Sequence, residues 1–220
     1  MTGKRYKCFL FDLNGTMVND MQYHIGSWHR ILNELGANIS MERMKEECYG
    51  KNNELLERMF PGRFTEEEKN RLSLEKEKKY QQDFKPNLKL IDGLDEFLKK
   101  ADENNKKIAV GSAAIMFNID FVLDGLNIRR YVDAIVSADD VQKSKPDPGT
   151  WLTCMEKLNA DSDECLVFED SPKGAESALN AGIDCIIITT LHRPEEFYQY
   201  NNVIAFINDF KNPELQQVLS

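Results

Sequence analysis

The sequence predicts an α/β fold, a doubly wound, Rossmann-like parallel sheet carrying an inserted small α-helical domain. Three observations predict it. Six short apolar or β-branched runs recur along the 220 residues, each followed by a segment of helical periodicity. The runs are continuous in hydrophobicity, not alternating, as strands buried on both faces of a parallel sheet are. One long stretch, from about residue 18 to 86, contains no such run.

The first run, Tyr6–Phe11, is the expected strand one. Beyond it, Met21, Ile25, Trp28, Leu32 and Leu35 fall at helical spacing. Thr65-Glu66-Glu67-Glu68 is a capping-box pattern that opens a charged helix running towards Asp83. The mixed-sign run Glu66–Lys79 reads as a solvated helix face. The insert ends near Pro86, which sets the expected domains at 1–17 and 88–220 for the α/β core and 18–87 for the helical insert.

The alternation then resumes. Leu94, Phe97, Leu98 and Ala101 share one helical stripe ahead of the second strand, Lys107–Gly111. Phe121, Val122 and Leu126 mark the next helix, followed by Ala134–Ser137 and Cys165–Phe168 as strands three and four. Ser171-Pro172 reads as an N-cap with proline at the first helical position, and Gly182 as the stop. Cys185–Thr189 and Val203–Ile207 complete the sheet. Strand–helix alternation of this kind implies right-handed crossovers.

Composition narrows the function. The length suits one large domain or one domain with a modest insert. With 28 Lys+Arg against 37 Asp+Glu the net charge is −9, which disfavours nucleic-acid and anionic-membrane partners. The five cysteines (Cys8, Cys48, Cys154, Cys165, Cys185) are scattered and form no CxxC pair, as expected of a reduced cytoplasmic protein. The longest apolar runs fall far short of the ~20 residues that span a bilayer. No signal-peptide pattern opens the chain. A cytoplasmic monomer is the expectation.

Ligands of doubly wound sheets bind beyond the carboxyl ends of the strands. Four segments fall there: Asp12-Leu13-Asn14-Gly15-Thr16 after strand one, and Gly111-Ser112-Ala113-Ala114 after strand two. Lys143-Ser144-Lys145-Pro146-Asp147-Pro148 lies beyond strand three, and Glu169-Asp170-Ser171-Pro172-Lys173-Gly174 beyond strand four. Each has an ordinary account taken singly: turn formers, a helix cap, a loop lysine. Together they place carboxylates, a hydroxyl and a lysine on one rim, which suits phosphoryl transfer. An aspartate can attack phosphorus to form an aspartyl-phosphate. Paired acids hold Mg²⁺, which prefers oxygen ligands. A serine hydroxyl, adjacent N–H groups and a lysine hold the phosphoryl oxygens.

Phe11–Thr16 (FDLNGT), Gly111–Ala113 (GSA), Lys145–Pro148 (KPDP) and Phe168–Gly174 (FEDSPKG) resemble the four ordered motifs of the haloacid dehalogenase-like hydrolases. The helical insert resembles that superfamily's small α-helical cap. His24-x-x-x-Trp28 and Gly174–Ala178 resemble its β-phosphoglucomutase-like branch. The resemblance implies that Asp12 is nucleophile and Mg²⁺ ligand, with the Asn14 carbonyl and Asp170 as further ligands and Glu169 near the metal through water. It further implies that Ser112 and the Ala113 N–H hold the phosphoryl group, that Lys145 bridges it to Asp12, and that His24 faces the cleft.

Three departures shape the expected activity. Asn14 stands where the family places a second aspartate, and an amide cannot perform the proton transfers typically worth ~10²–10⁴-fold. The cap loop Tyr49-Gly50-Lys51-Asn52-Asn53 lacks the branch's phosphate-gripping arginine near Asn53, and Lys51 substitutes without bidentate geometry. Ala114-Ile115-Met116 replaces polar and basic residues that serve the same distal phosphate. The expectation is a Mg²⁺-dependent phosphohydrolase of a small phosphorylated metabolite, a sugar phosphate, impaired at position 14. A sugar-phosphate mutase and a weakly catalytic phospho-binding or regulatory protein are the alternatives.

Overall fold

The computed structural model describes residues 4–219. In chain order the first elements are β1 (Cys8–Phe11) and the helices α1 (Met21–Glu34), α2 (Met41–Glu47), α3 (Asn52–Met59) and α4 (Glu66–Phe84). Next come α5 (Leu94–Glu103), β2 (Lys107–Gly111), α6 (Met116–Gly125), β3 (Ala134–Val136) and α7 (Gly149–Leu158). The chain continues with β4 (Cys165–Glu169), α8 (Pro172–Asn180), β5 (Asp184–Ile188), β6 (Val203–Ile207) and the short α9 (Gln216–Leu219). It divides into two compact units, Met1–Asn19 with Lys89–Ser220, and Asp20–Leu88.

The first unit holds a six-stranded sheet in the order β3-β2-β1-β4-β5-β6. Every neighbouring pair is parallel, so the fold is the expected doubly wound α/β sheet. Strand ends differ from the sequence reading by up to two residues, the range over which boundaries are weakly encoded. All four residues of β1 are buried. Phe9 and Phe11 point to one face, where Phe11 stacks on Phe168 at 4.6 Å and Phe97 of α5 closes at 5.5 Å from Phe9. Cys8 and Leu10 point to the other, into a cluster with Ala109, Val167, Trp151, Ala175 and Ala178. Period-two alternation with both faces apolar is what a continuous apolar run produces once helices cover both sides.

Leu94, Phe97, Leu98 and Ala101 form the buried stripe of α5, as expected. On α6 the buried face is Ile119, Val122 and Leu123, so Phe121 and Leu126 lie at its margin. Where the chain leaves β1 and where it returns, Val18 and Leu90 form an isolated antiparallel bridge.

The second unit is helical. Ile25, Trp28, Ile31 and Leu32 of α1 pack with Met44 of α2, Leu55 and Leu56 of α3 and Leu72 of α4. The Thr65 capping box forms: Thr65 Oγ1 accepts from the Glu68 N–H at 3.2 Å, and Glu68 accepts from the Thr65 N–H at 2.8 Å. The solvated reading of Glu66–Lys79 is corrected in part, because Lys69, Lys76 and Glu77 are buried. Each survives by pairing, Lys69 with Glu57 and Glu66, and Lys76 with Glu77. A buried charge needs a partner, and those partners are invisible to a composition count.

Candidate active site

The strand order reverses between β1 and β4, and the candidate site sits at their carboxyl ends. Asp12 follows β1, its N–H still donating to the Phe168 carbonyl at 2.9 Å. Glu169 ends β4 and Asp170 follows it. From the far side of the sheet, the segment after β3 returns Lys145 to the same place. Its Nζ donates to Asp12 Oδ1 at 2.6 Å, Glu169 Oε1 at 2.7 Å and the Gly111 carbonyl at 3.1 Å. All four side chains are buried. Burial alone would push the Lys145 ammonium down, but Asp12 and Glu169 outweigh it and hold the group above the ordinary lysine range. The lysine is therefore a fixed cation at the centre of the site.

Oxygen atoms of Asp12, Glu169 and Asp170 all lie within 4.8 Å of one another. Three hard oxygen donors at that spacing fit a divalent cation. The three are not equivalent. Glu169 Oε2 accepts from the Asp170 N–H at 2.8 Å, the Ser171 N–H at 3.0 Å and Ser171 Oγ at 3.1 Å, while Oε1 takes Lys145. Its carboxylate is thus oriented by the protein on both oxygens.

Two glycines make room for these acids. A Cβ on Gly15 would fall 2.0 Å from Asp170 Oδ2, and Gly15 holds φ +84° besides. A Cβ on Gly174 would fall 1.8 Å from the Glu169 carboxyl carbon. Ser171 caps α8, accepting from the Gly174 N–H at 3.1 Å, with Pro172 at the first helical position as the sequence predicts. One hydroxyl thereby starts the helix and touches Glu169.

Asn14 lies two residues past Asp12 in a turn bridged to Val18. Ser112 extends β2, its N–H donating to the Val136 carbonyl at 2.9 Å and its Oγ accepting from the Ala114 N–H at 3.1 Å. Ala113 follows, half-buried. These residues belong to the strand ends that carry Asp12 and Lys145's carbonyl acceptor.

The other three candidates lie in the helical unit. His24 is buried, stacked on Tyr80 at 3.8 Å, its Nδ1 meeting Lys76 Nζ and its Nε2 3.4 Å from Asp20. Asn52 donates to Glu77 at 2.6 Å, so a network of charged and polar side chains runs through this unit's interior. Lys51 caps α3, its N–H donating to Glu54 at 3.0 Å. The Asn53 amide donates to Asn70 at 2.8 Å and accepts from Ser73 at 3.0 Å, so α4 holds it in place. One residue near Lys145 escaped the sequence reading: Trp151 of α7, whose ring centroid lies 4.1 Å from Lys145 Nζ.

A carboxylate pair, a caged lysine and a hydroxyl-capped helix on a doubly wound sheet are groups that suit phosphoryl transfer. The sequence profile of haloacid dehalogenase-like hydrolases matches residues 9–188, and the chain belongs to that family. Within it, it stands in the β-phosphoglucomutase-like branch. Fructose-1-phosphate phosphatase of Escherichia coli is 26% identical over 86% of this chain and 99% of its own. β-Phosphoglucomutase of Bacillus subtilis is 29% identical over 80% of each. The crystal structure of a family IA hydrolase from Entamoeba histolytica superposes with a TM-score of 0.85 at 25% identity, covering 97% of both chains. The protein is a phosphoryl-transfer enzyme, hydrolase or mutase. Among the described residues no helix is long and apolar enough to cross a membrane.

Proposed function

We propose that the chain hydrolyses a small phosphorylated metabolite, a sugar phosphate, through an aspartyl-phosphate on Asp12. The observation that carries this reading is the Lys145 ammonium bonded to both Asp12 and Glu169. Such a cation pairs with the nucleophile and meets the negative oxygens of the incoming group. Asp12 attacks phosphorus, the ester P–O bond breaks, and the leaving alkoxide takes its proton from solvent water. A second water then attacks the phosphorus of the aspartyl-phosphate, gives its proton to solvent, and the Asp12–phosphorus bond breaks to release phosphate and restore the carboxylate. Ser112 and the Ala113 N–H hold phosphoryl oxygens during both halves.

Mg²⁺ would be held by Asp12, Asp170 and the Asn14 carbonyl, with Glu169 beside it, and would supply charge neutralisation for the transferred group. Asn14 hydrogen-bonds but exchanges no proton, so turnover is slow. The helical unit serves as a cap (18–87 by sequence), with His24, Lys51 and Asn53 contributing to substrate choice. The protein works as a cytoplasmic monomer, without nucleic-acid or membrane partners.

Two other readings have their own support. His24 and Trp28 on α1 favour a sugar-phosphate mutase, while Ala114–Met116 offers no charge to a second phosphate. Asn14 favours a phospho-binding or regulatory role. A phosphate-ester panel with Mg²⁺, run on this chain and on Asn14→Asp, separates the three. Phosphate release from monophosphates by both chains supports the hydrolase. Conversion of β-glucose 1-phosphate to glucose 6-phosphate without net phosphate release supports the mutase, and no turnover by either chain supports the binding role.

A further inference from the structure

We infer that Trp151 is a positioning residue for Lys145, its indole face forming the wall against which the ammonium is held. The inference rests on the proposed function in that Lys145 serves the chemistry. Lysine is a compact charge on a flexible four-carbon stem, so its position depends on what surrounds it. Three hydrogen bonds fix the Nζ, to Asp12, Glu169 and the Gly111 carbonyl. The Trp151 ring supplies a further contact, with its centroid 4.1 Å from Nζ, well inside the ~6 Å over which an aromatic face attracts a cation.

Two independent features favour the face over mere space filling. First, the indole is fully buried, yet its Nε1 has no hydrogen-bond partner. Burying an unpaired N–H costs stability, and phenylalanine would occupy much of the same volume without that cost. What tryptophan offers beyond phenylalanine is the stronger π face. Second, Gly111 is shaped to the ring: a Cβ there would fall 2.8 Å from Trp151 Cζ3. The glycine whose carbonyl receives Lys145 is the one that lets the indole close in. One residue of β2 therefore sets the distance between the cation and the ring.

Trp151→Phe and Trp151→Leu, assayed with an activated aryl phosphate, test this. The expected order of kcat is Trp, then Phe down about threefold, then Leu down about tenfold, with KM little changed. Thermal stability should not follow that order, because Phe removes the unpaired N–H and should be at least as stable as the parent. Parent-like kcat in both variants, or losses that track the folded fraction alone, would overturn the inference. A second readout needs no turnover. Lys145→Met should shift the indole N–H resonance of Trp151, identified by its disappearance in Trp151→Phe. An unmoved resonance overturns the contact. Absence of turnover in the parent would count against the proposed function, and the resonance would still decide for or against Trp151.

Discussion

Asn14 separates two tasks that one aspartate would combine, and the separation is measurable. In the proposed role its backbone carbonyl serves the metal whatever the side chain, but its amide cannot take or give the proton of a leaving group. Asn14→Asp should raise kcat on sugar phosphates by roughly 10²-fold or more. The gain on p-nitrophenyl phosphate should be smaller wherever phosphorylation of Asp12 limits the rate, since that leaving group needs little acid. No gain on any ester would show that position 14 is not the proton-transfer site. Metal binding should survive Asn14 and fail at Asp170: calorimetry with Mg²⁺ should show heat for the parent and none for Asp170→Ala. Asp12, Glu169 and Asp170 were legible in the sequence as candidates because they end or follow a strand, and Lys145 because its segment lies beyond strand three, where such sheets bind ligands. Trp151 was not, since its role depends on a ring-to-cation distance that no spacing rule encodes.

At the scale of elements, α8 and β4 are bound to the site through Gly174 and Ser171. Gly174→Ala should force the Glu169 carboxylate aside, because the new methyl would overlap it. Overpacking of this kind costs about 1–3 kcal/mol, and here it would also break the 2.7 Å bond to Lys145. A fall in melting temperature together with at least tenfold lower kcat is the expected result, and parent-like values for both would contradict the crowding. The strands of the sheet were readable because short apolar runs alternate with segments of helical periodicity, so length and context marked them as strands. The buried side of α4 was not. Its Lys76 and Glu77 look like solvent residues in the sequence, and only the partners supplied by α1 and α3 take them inside.

For the molecule as a whole, Glu77 links stability to pH. Burial would raise its carboxyl, but Lys76 and His24, with the Asn52 amide, outweigh burial and hold it at about 2, below the ordinary 4.5. A carboxyl depressed in the folded state stabilises above its unfolded value, and that contribution drains away as pH falls through the folded one. Glu77→Gln should therefore lower stability at pH 7 by about 3 kcal/mol, with the gap narrowing between roughly pH 4.5 and 2. Urea unfolding of both chains at pH 7 and pH 3 checks it, and a gap equal at both would contradict the pairing. The bridge between Val18 and Leu90 carries a consequence for how the chain folds. Joining two points about seventy residues apart costs loop-closure entropy, roughly 2–3 kcal/mol more than a tight turn of a few residues. If the intervening helices form first, the packing of α1 against α4 draws those two points together before β1 has found β2. The insert then acts as a self-folding clasp that shortens the search for the slowest part of the molecule, its long-range parallel pairing.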